Sequence, residues 1–170
     1  LTIVSGLAYG VDIRAHEAAL AEGLPTVAVL AHGLDTLYPS AHRRIAEDIL
    51  RDGGAWVSEY PPGVKPYRQA FVARNRIIAG LSAATIVVEA GERSGSLSTA
   101  SYAFESGREV FACPGRLTDP LSMGCHQLIE GQRAHLYLGA TSLGKELGWD
   151  TSLDGSASSS SNATPSEKQP

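Results

Sequence analysis

The stretch that most constrains this chain runs from residue 85 to residue 107. Thr85-Ile86-Val87-Val88-Glu89 is apolar without alternation, the pattern of a strand buried on both faces of a parallel sheet. It passes through the small polar loop Ala90-Gly91-Glu92-Arg93-Ser94-Gly95-Ser96 into a helix read as 97–106, with Ser94 or Ser96 as N-cap and Gly107 placed to end it. Backbone N–H groups of small residues at the positive end of a helix form an anion site. Ser94, Gly95 and Ser96 are therefore candidate ligand residues.

The same strand, loop and helix recur along the chain. A strand over 2–5 enters Ser5-Gly6-Leu7-Ala8-Tyr9-Gly10-Val11-Asp12 and a helix reaching about residue 22. A strand over 26–30 enters Ala31-His32-Gly33-Leu34-Asp35, then Tyr38-Pro39 and a helix over 41–51. A third strand, 55–58, leads into a proline-rich segment and a short helix over 71–82. Beyond Gly107 come a strand over 109–113 closed by Pro114-Gly115, a loop and helix over 119–130, a weaker strand near 134–138 and a helix near 142–147. This rhythm predicts an α/β doubly wound, mostly parallel sheet of about five or six strands with helices on both faces. Ligands of such sheets bind at the carboxyl ends of the strands, where Ser5, Gly6 and Gly33 also stand. Small residues serve equally as plain turns, so their weight comes from convergence with a basic segment.

That segment is visible in the charge pattern. The net charge of −4 argues against a coat of positive charge, yet residues 60–88 hold no acid while carrying Lys65, Arg68, Arg74 and Arg76. One localised basic stretch in a mildly acidic chain points to a specific anionic ligand. Arg74 and Arg76 fall in the first turn of the helix over 71–82, where cations oppose the helix dipole. Each therefore contacts an anion or pairs with a flanking carboxylate, Glu59 or Glu89. Tyr67 and Phe71 lie among these cations and offer aromatic faces, although Phe71 also reads as a core staple for its helix.

With 170 residues, 43% of them hydrophobic, the chain can bury one sizeable core, which ends near Trp149. Residues 150–170 are rich in Ser, Thr and Pro and read as a disordered tail. No long apolar run and no signal peptide is visible, so a soluble, cytoplasmic protein is expected. Cys113 reads as a buried strand-end thiol and Cys125 as a loop thiol; without C-x-x-C or H-x-x-x-H spacing, no metal and no cofactor is expected. No G-x-G-x-x-G, P-loop or G-x-S-x-G motif occurs. Most of His16, His32, His42, His126 and His135 read as surface or capping residues. Glu59 and Glu89 could serve acid–base chemistry, but a strand-end carboxylate more ordinarily bonds loop amides or an arginine, and no catalytic residue is assigned.

The order of motifs carries a resemblance. Ser5-Gly6-Leu7-Ala8-Tyr9-Gly10-Val11-Asp12, Gly33-Leu34-Asp35 with Tyr38-Pro39, Ser58-Glu59-Tyr60, Arg74-Asn75-Arg76-Ile77-Ile78-Ala79-Gly80-Leu81, Ser94-Gly95-Ser96-Leu97 and Pro114-Gly115 resemble the motif series of the DprA/Smf DNA-processing family, over about residues 2–131. The resemblance implies an extended Rossmann-like domain over 1–149 that binds single-stranded DNA, forms homodimers and helps load the RecA recombinase in natural transformation, without a catalytic reaction. It implies a DNA site at Ser5, Gly6, Gly33, Lys65, Tyr67, Phe71, Arg74, Asn75, Arg76, Ser94, Gly95 and Ser96. The family's first strand and its Gly-Ser-Arg motif should precede Leu1, and Gly131-Gln132-Arg133-Ala134 departs from the family's Gly-Ala. A competing class is the lysine-decarboxylase-like phosphoribohydrolases, whose Pro-Gly-Gly-x-Gly-Thr-x-x-Glu loop has no counterpart here. Single-stranded DNA needs cations along a groove and π-faces for unstacked bases, which Lys65, Arg74, Arg76, Tyr67 and Phe71 supply.

Overall fold

The computed structural model describes residues 1–149, so the expected 150–170 tail lies outside the described residues. The segment Leu1–Tyr137 forms one unit; a second begins at Leu138 and holds the helix Ala140–Glu146. The first unit runs β1 (Ile3–Ser5), α1 (Val11–Ala21), β2 (Thr26–Val29), a 3-10 turn (Ser40–His42), α2 (Arg43–Arg51), β3 (Ala55–Val57), α3 (Arg68–Leu81), β4 (Ala84–Val87), α4 (Ser96–Glu105), β5 (Glu109–Ala112), α5 (Met123–Glu130) and β6 (His135–Leu136). Every strand pair is parallel, as the alternation of strands and helices predicts.

The strands form two three-stranded sheets, ordered β1-β2-β3 and β4-β5-β6, where one sheet was expected. Edges β1 and β4 line opposite sides of a cleft of about 580 Å³, with Val4 and Ser5 on one wall and Ile86 and Val87 on the other. This corrects the reading of 85–89 as buried on both faces: Ile86 is 38% and Val88 42% exposed while Val87 between them is 3% exposed, so one face of β4 is covered and the other is open, and among the described residues β4 is also an edge of its sheet. An unbroken apolar run signals a strand built for a sheet interior, and here it borders an opening.

Each sheet has its own core. The first packs Leu7, Ile13, Leu30, Leu37, Ala46 and Ile49. The second is built from smaller groups, among them Ala79, Ala90, Ala100, Ala103 and Ala112 with Val87 and Val110. Helix α4 ends as the sequence predicts: Gly107 adopts φ 65° and the Arg108 N–H returns to the Ala103 carbonyl at 2.9 Å. Its start differs, since Gly95 is the N-cap and no side chain caps it. Helix α3 begins at Arg68, because Pro66 precedes an extended Tyr67 that releases the chain into helix. Arg74 and Arg76 therefore lie in its second and third turns and not the first, which removes the expected conflict with the helix dipole.

Two further readings are corrected. His16, His32 and His42 are buried. Cys125 is the buried thiol, in α5 beneath the Val87 carbonyl, while Cys113 is half-buried; burial pushes both thiols up. No group of His, Cys, Asp or Glu among the described residues could hold a metal, and none of their helices is long and apolar enough to cross a membrane.

Candidate nucleic-acid interface

The loops at the carboxyl ends of β1, β2 and β3 are tied down by polar side chains. Asp12, in the first turn of α1, accepts from the N–H groups of Gly6 at 2.9 Å and Ala8 at 3.3 Å. Leu7 between them takes φ 58°, a left-handed conformation a non-glycine residue holds only when its surroundings fix it. Those surroundings include the His42 ring, whose Nδ1–H donates to the Leu7 carbonyl at 2.8 Å. In the next loop His32 donates from Nδ1 to Gly33 O at 2.9 Å and accepts the Tyr38 N–H on Nε2 at 3.2 Å. Gly33 donates to Val64 O at 2.9 Å, and a Cβ there would stand 2.6 Å from Pro61 O.

Arg74 crosses this framework. It is 4% exposed, and its guanidinium donates to Gly6 O at 2.9 Å and to Val29 O, joining the ends of β1 and β2. Gly6 must be glycine for this, since a Cβ there would lie 2.6 Å from the guanidinium atoms. Burial lowers the Arg74 pKa while the Asp12 carboxylate raises it, so the cation is held by a nearby anion and by carbonyl dipoles. Arg74 Nε donates to Asn75 Oδ1 at 3.2 Å, and Asn75 Nδ2 donates onward to Ser98 Oγ at 2.9 Å and Gly95 O at 3.3 Å. One polar chain thus runs from the first sheet to the loop before α4.

Of the residues expected at the site, Ser5, Phe71, Arg74, Asn75, Ser94, Gly95 and Ser96 share the cleft between β1 and β4. Gly6 and Gly33 are buried and outside its lining, and the more exposed Lys65, Tyr67 and Arg76 also lie outside it. Arg76 pairs with Glu59, both partly exposed, which is the carboxylate partnership the sequence left open; Arg74 takes carbonyl partners instead. The amides of the loop and first turn of α4 are less available than expected: those of Ser94, Leu97 and Ser98 already bond loop carbonyls, and the Ser96 N–H faces Ser94 Oγ at 3.4 Å.

The cations without a hydrogen-bond or ion-pair partner on their side chains, among the described residues at the carboxyl ends, include Lys65 and Arg68 after β3, Arg93 after β4 and Arg116 after β5. Arg93 and Arg116 were missed because each stands alone in sequence, with no run of charge to mark it. Tyr9 and Tyr38 were missed for the same reason, although they are 69% and 49% exposed on the loops after β1 and β2.

Comparison with known proteins places this geometry. The family model for DNA recombination-mediator protein A matches residues 1–148. The DNA processing protein DprA of Streptococcus pneumoniae is 53% identical over 130 residues, covering 76% of this chain and 46% of the relative. Protein Smf of Escherichia coli is also 53% identical over 130 residues, 76% of this chain and 35% of the relative. The chain thus spans less than half the length of these two relatives. Among solved structures, the X-ray structure of the Streptococcus pneumoniae protein superposes with a TM-score of 0.79 at 49% identity, covering 86% of this chain and 51% of that one. A Helicobacter pylori DNA processing protein A, solved to describe its single-stranded DNA binding mode, gives 0.76 at 33% identity, covering 86% and 65%. From its motif order, its parallel α/β fold and these matches, the chain belongs to the DNA recombination-mediator protein A family, the DprA/Smf proteins.

Proposed function

We propose that this chain binds single-stranded DNA along the loop rim at the carboxyl ends of its strands, as part of a homodimeric mediator that protects incoming DNA and helps load a RecA recombinase in natural transformation. The observation that carries the reading is the position of Lys65 and Arg68, free of carboxylate partners, around Tyr67, which is 47% exposed. Free cations beside aromatic faces fit a flexible strand whose bases are unstacked, whereas duplex DNA offers its bases only inside grooves. The single-stranded DNA binding described for the Helicobacter pylori relative supports this reading. Arg74 and Asn75 then act as the frame behind the site, and binding of the phosphates falls to Lys65, Arg68 and Arg93.

We propose no reaction. Two carboxylates, Asp12 and Glu89, line the cleft, and Asp12 is already occupied by two backbone N–H groups. Incubation with nucleoside monophosphates checks the phosphoribohydrolase alternative, and released base would replace the binding reading. The direct test is a titration with single-stranded and double-stranded oligonucleotides across a salt series. The expected result is tighter binding to the single strand, and a double variant, Lys65→Ala with Arg68→Ala, whose slope of log affinity against log salt falls by about 0.7 for each phosphate no longer neutralised. Equal affinity for both forms at physiological salt, or an unchanged slope, would count against it.

A further inference from the structure

We propose that Tyr9 and Tyr38, on the neighbouring loops after β1 and β2, are stacking platforms for unpaired nucleobases, Tyr9 in the lining of the cleft and Tyr38 against Phe71 of that lining; this rests on the single-stranded DNA reading above. Neither ring is used by the frame that braces the loops, and both are exposed far beyond what an aromatic side chain gains from folding. Each is nevertheless held in place on one side by a second ring. Tyr9 meets His42 edge-on, with centroids 4.5 Å apart and planes at 66°. His42 is itself fixed by its bond to the Leu7 carbonyl. Tyr38 leans on Phe71 at 5.8 Å and 57°, and Phe71 in turn carries the Arg74 guanidinium 5.8 Å from its ring centre.

Each pair puts one ring into the lining of the same cleft, Tyr9 from the first and Phe71 from the second. An exposed ring fixed by a neighbour has lost its rotamer freedom already, so a base stacking on its open face is bound at little further ordering cost. Charge favours a nucleic acid over a protein as the occupant. Lys65 and Arg68 follow β3 on the same rim, Arg68 one helical turn before Phe71, and residues 60–88 contain no acid. A platform for bases needs π-faces with nearby cations for the phosphates between them, and the rim offers both.

The experiment compares the full chain's affinity for a single-stranded thymidine oligonucleotide and for an abasic oligonucleotide of equal length, at one salt concentration. Wild type is expected to favour the base-bearing strand, and 2-aminopurine placed in that strand should be quenched on binding. Tyr9→Ala and Tyr38→Ala should each weaken binding of the thymidine strand roughly 5- to 100-fold with little change for the abasic one, while Tyr9→Phe and Tyr38→Phe retain binding. Wild type that binds both strands equally, without quenching, would overturn the platforms and leave single-strand binding standing. Ala variants that bind the thymidine strand as wild type does, or are weakened equally for the abasic strand, would also overturn them. Wild type that binds neither strand removes the parent reading along with this one.

Discussion

The two sheets of the first unit follow one plan, parallel strands with loops at their carboxyl ends, yet they hold those loops by different means. In the first sheet polar side chains do the holding: Asp12, His32, His42 and Arg74 each bond backbone groups of the loops after β1 and β2. In the second, the side-chain bonds to the loops, such as Asn75 Nδ2 to Gly95 O and His126 Nε2–H to Gly115 O, lie at the surface, and close backbone approach does the buried holding. The Gly124 N–H reaches Ala90 O at 2.7 Å, a Cβ on Gly124 would stand 2.8 Å from that oxygen, and the core around it is largely alanine. Burying a Leu or Ile stabilises by about 1.5 to 3 kcal/mol and a methyl-sized group by far less, so the second half depends on tight apposition where the first has side-chain area to spare. The difference teaches that aromatic rings on the first rim can face solvent because hydrogen bonds, not those rings, keep the loops in place.

Arg74→Ala is the largest way to break this comparison. It strands two carbonyls and removes the cation beside Asp12, so a destabilisation of roughly 3 to 5 kcal/mol is expected in chemical denaturation. Hydrogen exchange should locate the loosening in the loops after β1 and β2. A destabilisation under about 1 kcal/mol would show that the first rim does not depend on its polar frame.

Acid should sharpen the comparison, because the buried histidines among the described residues all belong to the first half. The Thr26 hydroxyl donates to Ile3 O at 2.9 Å, so His16 must donate its Nδ1–H to Thr26 Oγ1 at 2.7 Å, and its buried Nε2 is left bare. Burial, aided by His42 and opposed by Asp12, lowers the His16 pKa from 6.5 to about 4. The unfolded chain therefore takes up this proton near pH 6.5 and the folded chain only near pH 4, so acid favours unfolding. The contribution is complete above pH 6.5, falls as pH drops toward 4, and amounts in full to about 3 kcal/mol. Denaturation midpoints measured across that window should fall for the wild type and fall less for His16→Gln; identical slopes would sink the assignment.

The smallest effect is expected from Arg76→Ala. Its pair with Glu59 is 54% exposed on the arginine side, so the destabilisation should not exceed about 1 kcal/mol, and it should shrink with added salt. A larger, salt-independent effect would mean that the rim after β3 is braced as firmly as the first two loops.

Sequence by itself determined what is local. Apolar runs, the glycine that ends α4, the repeating strand–loop–helix unit and the acid-free window around Lys65 and Arg68 are all set by neighbours in the chain, and the ordered motifs fixed the family. Tertiary structure decided which polar groups are spent and which are free. Arg74 reads in the sequence as a phosphate clamp or a carboxylate partner, but its guanidinium bonds carbonyls 45 and 68 residues away. The burial of His16, the exposure of Tyr9 and the opening beside β4 likewise depend on what packs next to them. Propensity and periodicity act over a few residues, whereas the partner of a buried polar group is chosen by whatever distant backbone the fold delivers to it.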